Sequence, residues 1–158
     1  MQNIITRQDV IKKISQQFKV HPVCALLGPR QCGKTTLAKE YSKLYKGKVI
    51  IFDLEYPEDL AAFENPLRTL ENLSGLIIID EIQRKPEIFP LLRVLADRKS
   101  SLYLILGSAS RDLIAQSSES LAGRIGYIEL TPFNLAEVKD SEKLLNYGGY
   151  PRPYIGPQ

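Results

Sequence analysis

The residues best suited to chemistry lie together in GPRQCGKTT, Gly28 to Thr36. Two glycines five positions apart are followed by a lysine and two threonines, the pattern G-x-x-x-x-G-K-S/T. Each residue type has a physical reason in a phosphate cradle. Gly28 and Gly33 permit backbone conformations that a side chain forbids. The N–H groups of Arg30, Gln31, Cys32, Gly33, Lys34, Thr35 and Thr36 then turn inward around phosphate oxygens, and a helix starting at the lysine adds its positive end. Lys34 is expected to reach the β- and γ-phosphates, the Thr35 hydroxyl to ligate Mg²⁺ and Thr36 to touch an α- or β-phosphate. The competing reading is an incidental turn. The flanks favour the cradle, because an apolar run (VCALL) precedes the loop and a helix-like run (LAKEYSKLY) follows it.

A second constellation is LIIIDEIQ, Leu76 to Gln83. An acidic residue at the carboxyl end of a buried strand lies at the ligand edge of a sheet. Asp80 there can hold Mg²⁺ opposite Thr35, and Glu81 can orient or deprotonate an attacking water. Alone, an apolar run ending in Asp-Glu more often marks a solvated strand end; about 45 residues after a phosphate loop it gains meaning. The pair also separates classes. A GTPase favours DxxG here and NKxD later, and neither occurs. A small-molecule kinase has no use for a water-activating glutamate.

Two further candidates keep two readings each. Ser108, in LYLILGSAS, either hydrogen-bonds the γ-phosphate or attacking water, or belongs to a turn capping the next helix. Ser110 reads as the cap. Arg124, in ESLAGRIGYIEL, is either a structural or surface arginine or one that stabilises charge on a γ-phosphate.

The elements that must position these groups alternate between helix and strand. A first helix is expected after Thr6, with Val10, Ile11, Ile14 and Phe18 on one face. Strands are expected at Val23–Leu27, Val49–Leu54, Leu76–Asp80, Leu102–Leu106 and Tyr127–Leu130. The helix after the loop should run to about Tyr45, burying Leu37, Ala38, Tyr41, Leu44 and Tyr45. Another should start near Pro86, and a short one after Ser110. Strands one, three and four are nearly all apolar, which implies burial on both faces in a parallel sheet. The division expected is an α/β domain over residues 1–145 and an irregular Gly/Pro-rich tail over 146–158.

Composition excludes several classes. The chain has 158 residues, enough for one domain with a real core. A net charge of +3 with scattered Lys and Arg gives no indication of nucleic acid. No apolar run approaches a membrane span, and the start has no apolar signal segment. The two cysteines, Cys24 and Cys32, are expected as unpaired thiols in a reducing cytoplasm, and a single histidine, His21, nearly excludes His-based triads or metal sites.

The chain resembles the AAA+-type ATPase domain of a group of bacterial and archaeal proteins that usually carry a C-terminal domain of unknown function. The resemblance rests on GPRQCGKTTLAKE, FDLE (Phe52 to Glu55), DEIQRKPE, GSAS, SLAGRI, LTPFNLAEV and GGYP (Gly148 to Pro151), in that order over nearly the whole chain. It implies a P-loop NTPase three-layer α/β/α sandwich with a mostly parallel five-stranded sheet in the order 5-1-4-3-2. It implies ATP/ADP as nucleotide, Mg²⁺ as cofactor, Walker A and Walker B motifs, and Mg²⁺-dependent hydrolysis with Glu81, Lys34, Ser108 and Arg124 as catalytic residues. It strengthens Ser108 as a γ-phosphate sensor. It raises Arg124 as a finger completing a neighbouring subunit's site in a homo-oligomer. The helical lid and the C-terminal domain of the group are expected to be missing from this chain, as in a truncated copy. The alternative function is a nucleotide-binding remnant or regulatory module without significant turnover.

Overall fold

A computed structural model describes residues 7–138 and 141–151. Five strands form one sheet: β1 (Val23–Leu27), β2 (Val49–Asp53), β3 (Gly75–Asp80), β4 (Ser101–Gly107) and β5 (Ile125–Glu129). Their spatial order is β2-β3-β4-β1-β5, the expected 5-1-4-3-2 read from the other edge. All four pairings are parallel. Each crossover therefore carries helix, and the helices make two outer layers.

Alternation along each strand divides the core in two. Val23, Ala25, Leu27, Ile77, Ile79, Tyr103 and Ile105 point to one face, where Phe63, Leu70, Leu92, Leu95 and Leu113 cover them. Those residues come from or follow α3 (Pro57–Ala62), α4 (Pro66–Leu70), α5 (Phe89–Asp97) and α6 (Arg111–Ser120). Cys24, Leu26, Ile78, Leu104, Leu106 and Ile128 point to the other face. It is covered by Val10, Ile11 and Ile14 of α1 (Gln8–Phe18) and by Leu37, Ala38 and Tyr41 of α2 (Lys34–Leu44). Every residue of β1 is buried, as its unbroken apolar run requires of a central parallel strand. The edge strand β2 is only half-buried.

Several local details differ from expectation. Thr6, the expected first cap, lies outside the described residues. Leu44 is 61% exposed rather than part of the inner face of α2. The helix ends there, and Tyr45, in extended conformation, packs on the core in its place. Pro86 opens a 3₁₀ turn rather than the helix, because α5 takes its start from a second proline, Pro90. A proline lacks the N–H that a helix interior needs, so the last of two prolines sets where the α-helix can begin. Ser110 caps α6 as expected, its Oγ accepting from the Leu113 N–H at 3.2 Å. After β5 come α7 (Leu135–Val138) and α8 (Ser141–Tyr147), so helix reaches Tyr147, within the segment expected to be irregular. The residues from 152 onward lie outside the described residues.

Candidate functional site

Parallel strands place all their carboxyl ends at one edge, and the loop residues Gly28 to Gly33 leave β1 there. The loop is anchored on both sides. Gly28 N–H donates to the Gly107 carbonyl at the end of β4 (3.2 Å), and Leu130 N–H, after β5, donates to the Leu27 carbonyl (2.6 Å). The two glycines serve different needs. Gly33 has φ +95° and immediately precedes α2, so it does supply a left-handed backbone. Gly28 does not. Its need is room, since a Cβ there would run into the Leu130 carbonyl oxygen and the Cys32 Sγ. The second left-handed position in the loop is Gln31, φ 61°.

Lys34 is buried, and its ammonium bends back across the loop to donate to the Gly28 and Pro29 carbonyls at 2.9 and 2.8 Å. Those carbonyls satisfy a charge that burial alone would penalise. Thr35 stands at the first turn of α2. Its Oγ1 donates to Asp80 Oδ2 at 2.5 Å, across 45 residues of sequence. Asp80 is buried, and its Oδ1 accepts the Glu81 N–H at 2.8 Å. The two residues expected around a cation thus meet. A hydroxyl and a carboxylate at a loop rich in amides suit Mg²⁺, a hard cation that takes oxygen donors and keeps part of its shell for phosphates. Among the described residues no three His, Cys, Asp or Glu side chains group together, so an all-protein cage is not available there.

Glu81 follows Asp80 with a left-handed backbone, φ 56° and ψ 42°. This is an uncommon conformation for a residue with a side chain, and it turns the chain sharply out of the strand. A 3₁₀ turn over Ile82–Arg84 follows. Its Gln83 Nε2 donates to Glu81 Oε2, and its Oε1 accepts the Ser108 N–H at 3.4 Å. Ser108 lies just beyond β4, the strand between those of the loop and of Asp80. Lys34, Thr35, Asp80, Glu81 and Ser108 are therefore gathered at one edge.

Arg124 is not with them. It precedes β5, and its carbonyl accepts the Val23 N–H at the start of β1, the opposite edge of the sheet. Its guanidinium grips Asp97 through two parallel bonds, Nε–Oδ1 at 2.7 Å and Nη2–Oδ2 at 3.0 Å. Those bonds hold the exposed Asp97 carboxyl below its usual range and push Arg124 further up. A cleft of about 290 Å³ adjoins the pair, with Lys19, His21 and Lys99 also on its walls.

Three neighbours of the loop were not legible as functional residues. Arg7 is buried, bonded to Glu137 and to the Thr131 carbonyl (2.7 Å), with its guanidinium 5.4 Å from the Phe133 ring centroid. It fastens the chain after β5 beside the loop. Phe133 N–H in turn donates to the Gly149 carbonyl at 2.5 Å, which brings Pro151 Cγ within 3.7 Å of where a Gly33 Cβ would stand. Glu55, in FDLE, pairs with Arg30 at 3.4 Å. The signal for Arg7 was a charged residue beside an apolar helical stripe, which spacing alone does not separate from a solvated start. Cys24 and Cys32 are free and buried. Burial pushes the Cys24 thiol up to about 12. It also raises the Cys32 thiol, against the opposing influence of Lys34.

Comparison with known proteins bears on the fold and the family. Mb2031c, an uncharacterized protein of Mycobacterium bovis, is 43% identical over 152 residues. That match covers 94% of this chain and 34% of the relative, so the chain spans about a third of that protein's length. The Walker-type ATPase PABY2304 of Pyrococcus abyssi superposes with a TM-score of 0.67 at 18% identity, covering 96% of this chain and 65% of the other. The Aeropyrum pernix ORC1 protein, solved in complex with DNA, superposes with a TM-score of 0.65 at 12% identity, covering 98% and 59%. At these identities the two structures establish the fold. The AAA domain family AAA_14 matches residues 20–139, the span that holds the loop, the Asp-Glu strand end and all five strands. This chain belongs to that family: it is an AAA+-type P-loop domain, shorter than its full-length relatives.

Proposed function

We propose that this chain binds Mg-ATP at the carboxyl edge of its sheet and hydrolyses it to ADP and phosphate. The observation that carries the reading is the Thr35–Asp80 hydrogen bond, which joins the glycine loop to the acidic strand end. Lys34 releases the Gly28 and Pro29 carbonyls and turns its ammonium to the β- and γ-phosphates, while the backbone N–H groups from Arg30 to Thr36 receive phosphate oxygens. Thr35 and Asp80 hold the cation. Mg²⁺, when bound, neutralises charge gathering on the phosphates. Glu81 orients the attacking water and accepts its proton, and Ser108 reads the γ-phosphate from the end of β4.

Arg124 acts in this reading on a neighbouring copy. Its edge faces away from the chain's own loop, so a finger role requires an oligomer and release from Asp97. The setting is cytoplasmic, in keeping with two unpaired thiols. No helix among the described residues is long and apolar enough to cross a membrane. Within the family, the order from FDLE to GGYP favours the group that usually carries a C-terminal domain.

A second reading is favoured by the Arg124–Asp97 grip, which holds the finger candidate away from any phosphate: a nucleotide-binding module that does not turn over by itself. Titration with Mg-ATP and steady-state phosphate release test both. Binding abolished by Lys34→Ala, with turnover abolished by Glu81→Gln, supports hydrolysis. Binding with phosphate release at background in both wild type and Glu81→Gln supports the module. Equal nucleotide binding by wild type and Lys34→Ala sinks both readings.

A further inference from the structure

We propose that Gln83 is a positioning residue that ties the Glu81 carboxylate to the end of β4, so that the water-directing group and Ser108 are set as one unit. This deepens the reading of Glu81 given above and rests on it. The observation is that both ends of one side-chain amide are used. Nε2 donates to Glu81 Oε2 and Oε1 accepts from the Ser108 N–H. A side-chain amide carries a donor and an acceptor on one head, so it donates to a carboxylate while accepting from a backbone N–H. The bond engages one carboxylate oxygen, and the water is left to the other.

Two independent features place the amide there. The 3₁₀ turn that carries Gln83 is closed by Arg84 N–H to the Glu81 carbonyl and Lys85 N–H to the Ile82 carbonyl, both 3.0 Å, with Ile82 fully buried beneath it. The turn therefore cannot swing freely. The space beside β4 comes from Gly107. A Cβ on Gly107 would lie 3.0 Å from Gln83 Oε1 and 2.9 Å from Ile82 Cγ2, tighter than ordinary packing. Gly107 is not among the positive-φ residues, so what its position demands is room for these two side chains and for Leu113, whose Cδ2 would also lie 3.0 Å away. Its carbonyl meanwhile accepts the Gly28 N–H. A single dipeptide, Gly107-Ser108, thereby contacts both the phosphate loop and the amide that holds Glu81. A shift of the β4 end on contact with a γ-phosphate reaches Glu81 through Gln83.

The test uses the whole chain with Mg-ATP and variants Gln83→Met, Gln83→Glu and Glu81→Gln. Gln83→Met keeps the side-chain length and deletes both bonds. It should lower kcat ~10–100-fold, as loss of alignment does, with KM and nucleotide affinity within about twofold of wild type. Gln83→Glu keeps the acceptor and loses the donor, and should lower kcat at least as far as Gln83→Met.

An unchanged kcat in Gln83→Met, beside a Glu81→Gln variant that is dead, overturns this proposal and leaves the reading of Glu81 intact. Wild-type turnover in Glu81→Gln overturns both. A readout independent of turnover is the side-chain amide resonance of Gln83. It should move in Glu81→Ala to the position of a solvated amide; an identical resonance in both proteins overturns the proposal.

Discussion

Substituting the two loop glycines separates steric room from backbone freedom. In Gly28→Ala the new methyl meets the Leu130 carbonyl and lies 3.0 Å from Cys32 Sγ. Leu130 is buried and fixed by its own N–H bond to Leu27, so neither neighbour can retreat without disturbing the β1–β5 junction. Overpacking of this kind costs about 1–3 kcal/mol. Loss of the Leu130–Leu27 bond adds about 1 kcal/mol. Stiffening of the unfolded chain gives back about 0.4–1 kcal/mol. The net is ~1–3.6 kcal/mol, or roughly 2–14 °C in Tm for a chain of this size. Gly33→Ala meets only Pro151 Cγ at 3.7 Å, an ordinary contact, and bears the left-handed backbone penalty alone. That penalty is about 1–2 kcal/mol, partly offset in the unfolded chain in the same way. Gly28→Ala should therefore melt below Gly33→Ala, and both below wild type, in thermal unfolding followed by circular dichroism. A Gly28→Ala protein as stable as wild type, or more stable than Gly33→Ala, refutes the assignment of Gly28 to steric room.

Other consequences can be checked directly. Arg7→Met removes the cation paired with Glu137 Oε1 and the donor to the Thr131 carbonyl in a mostly buried setting, and urea unfolding should show a loss of about 2–4 kcal/mol; a change under about 0.5 kcal/mol contradicts its role in fastening the chain after β5. Cys24, fully buried with its thiol pushed up to about 12, should resist iodoacetamide at neutral pH until urea unfolds the chain; rapid native labelling, read by mass spectrometry, contradicts the core assignment. Asp97 is held below its ordinary value by Arg124. A carboxyl depressed in the folded state contributes stability above its unfolded pKa, and that contribution disappears as pH falls through the folded one. The Tm difference between wild type and Asp97→Asn should accordingly be small at neutral pH and vanish in acid, as pH falls through the lowered folded value; a difference that widens in acid has the wrong sign.

The sheet was legible because its signals are redundant. Apolar runs such as VCALL and LIIID can be satisfied only by burial on both faces, and the breaks between them fix how many crossovers there are. Strand order came from the resemblance, since parallel runs carry no label of their neighbours. Within the site, Lys34, Thr35, Asp80 and Glu81 were legible because their spacing follows a mechanism. What spacing does not encode is which side chain fills which gap. Gly28 read as a conformational glycine, and only the approach of Leu130, about a hundred residues on, shows that it is a steric one. Gln83 sat in plain view within LIIIDEIQ, yet its use depends on a missing Cβ at Gly107 on another strand. Arg7 and Pro151 reach the loop from the two ends of the described chain, through contacts that no local pattern records. Arg124 was legible as a residue before β5, and the opposite edge of a parallel sheet is where such a residue must lie.

The central claim is that the glycine loop and the Asp-Glu strand end form one Mg-ATP site. Isothermal titration of the wild-type chain with ATP, with and without Mg²⁺, beside Lys34→Ala and Asp80→Asn, tests it most directly. The expected result is binding that strengthens with Mg²⁺ in wild type, no measurable binding in Lys34→Ala, and loss of the Mg²⁺ dependence in Asp80→Asn. Wild-type affinity in Lys34→Ala, or an undiminished Mg²⁺ effect in Asp80→Asn, contradicts the account.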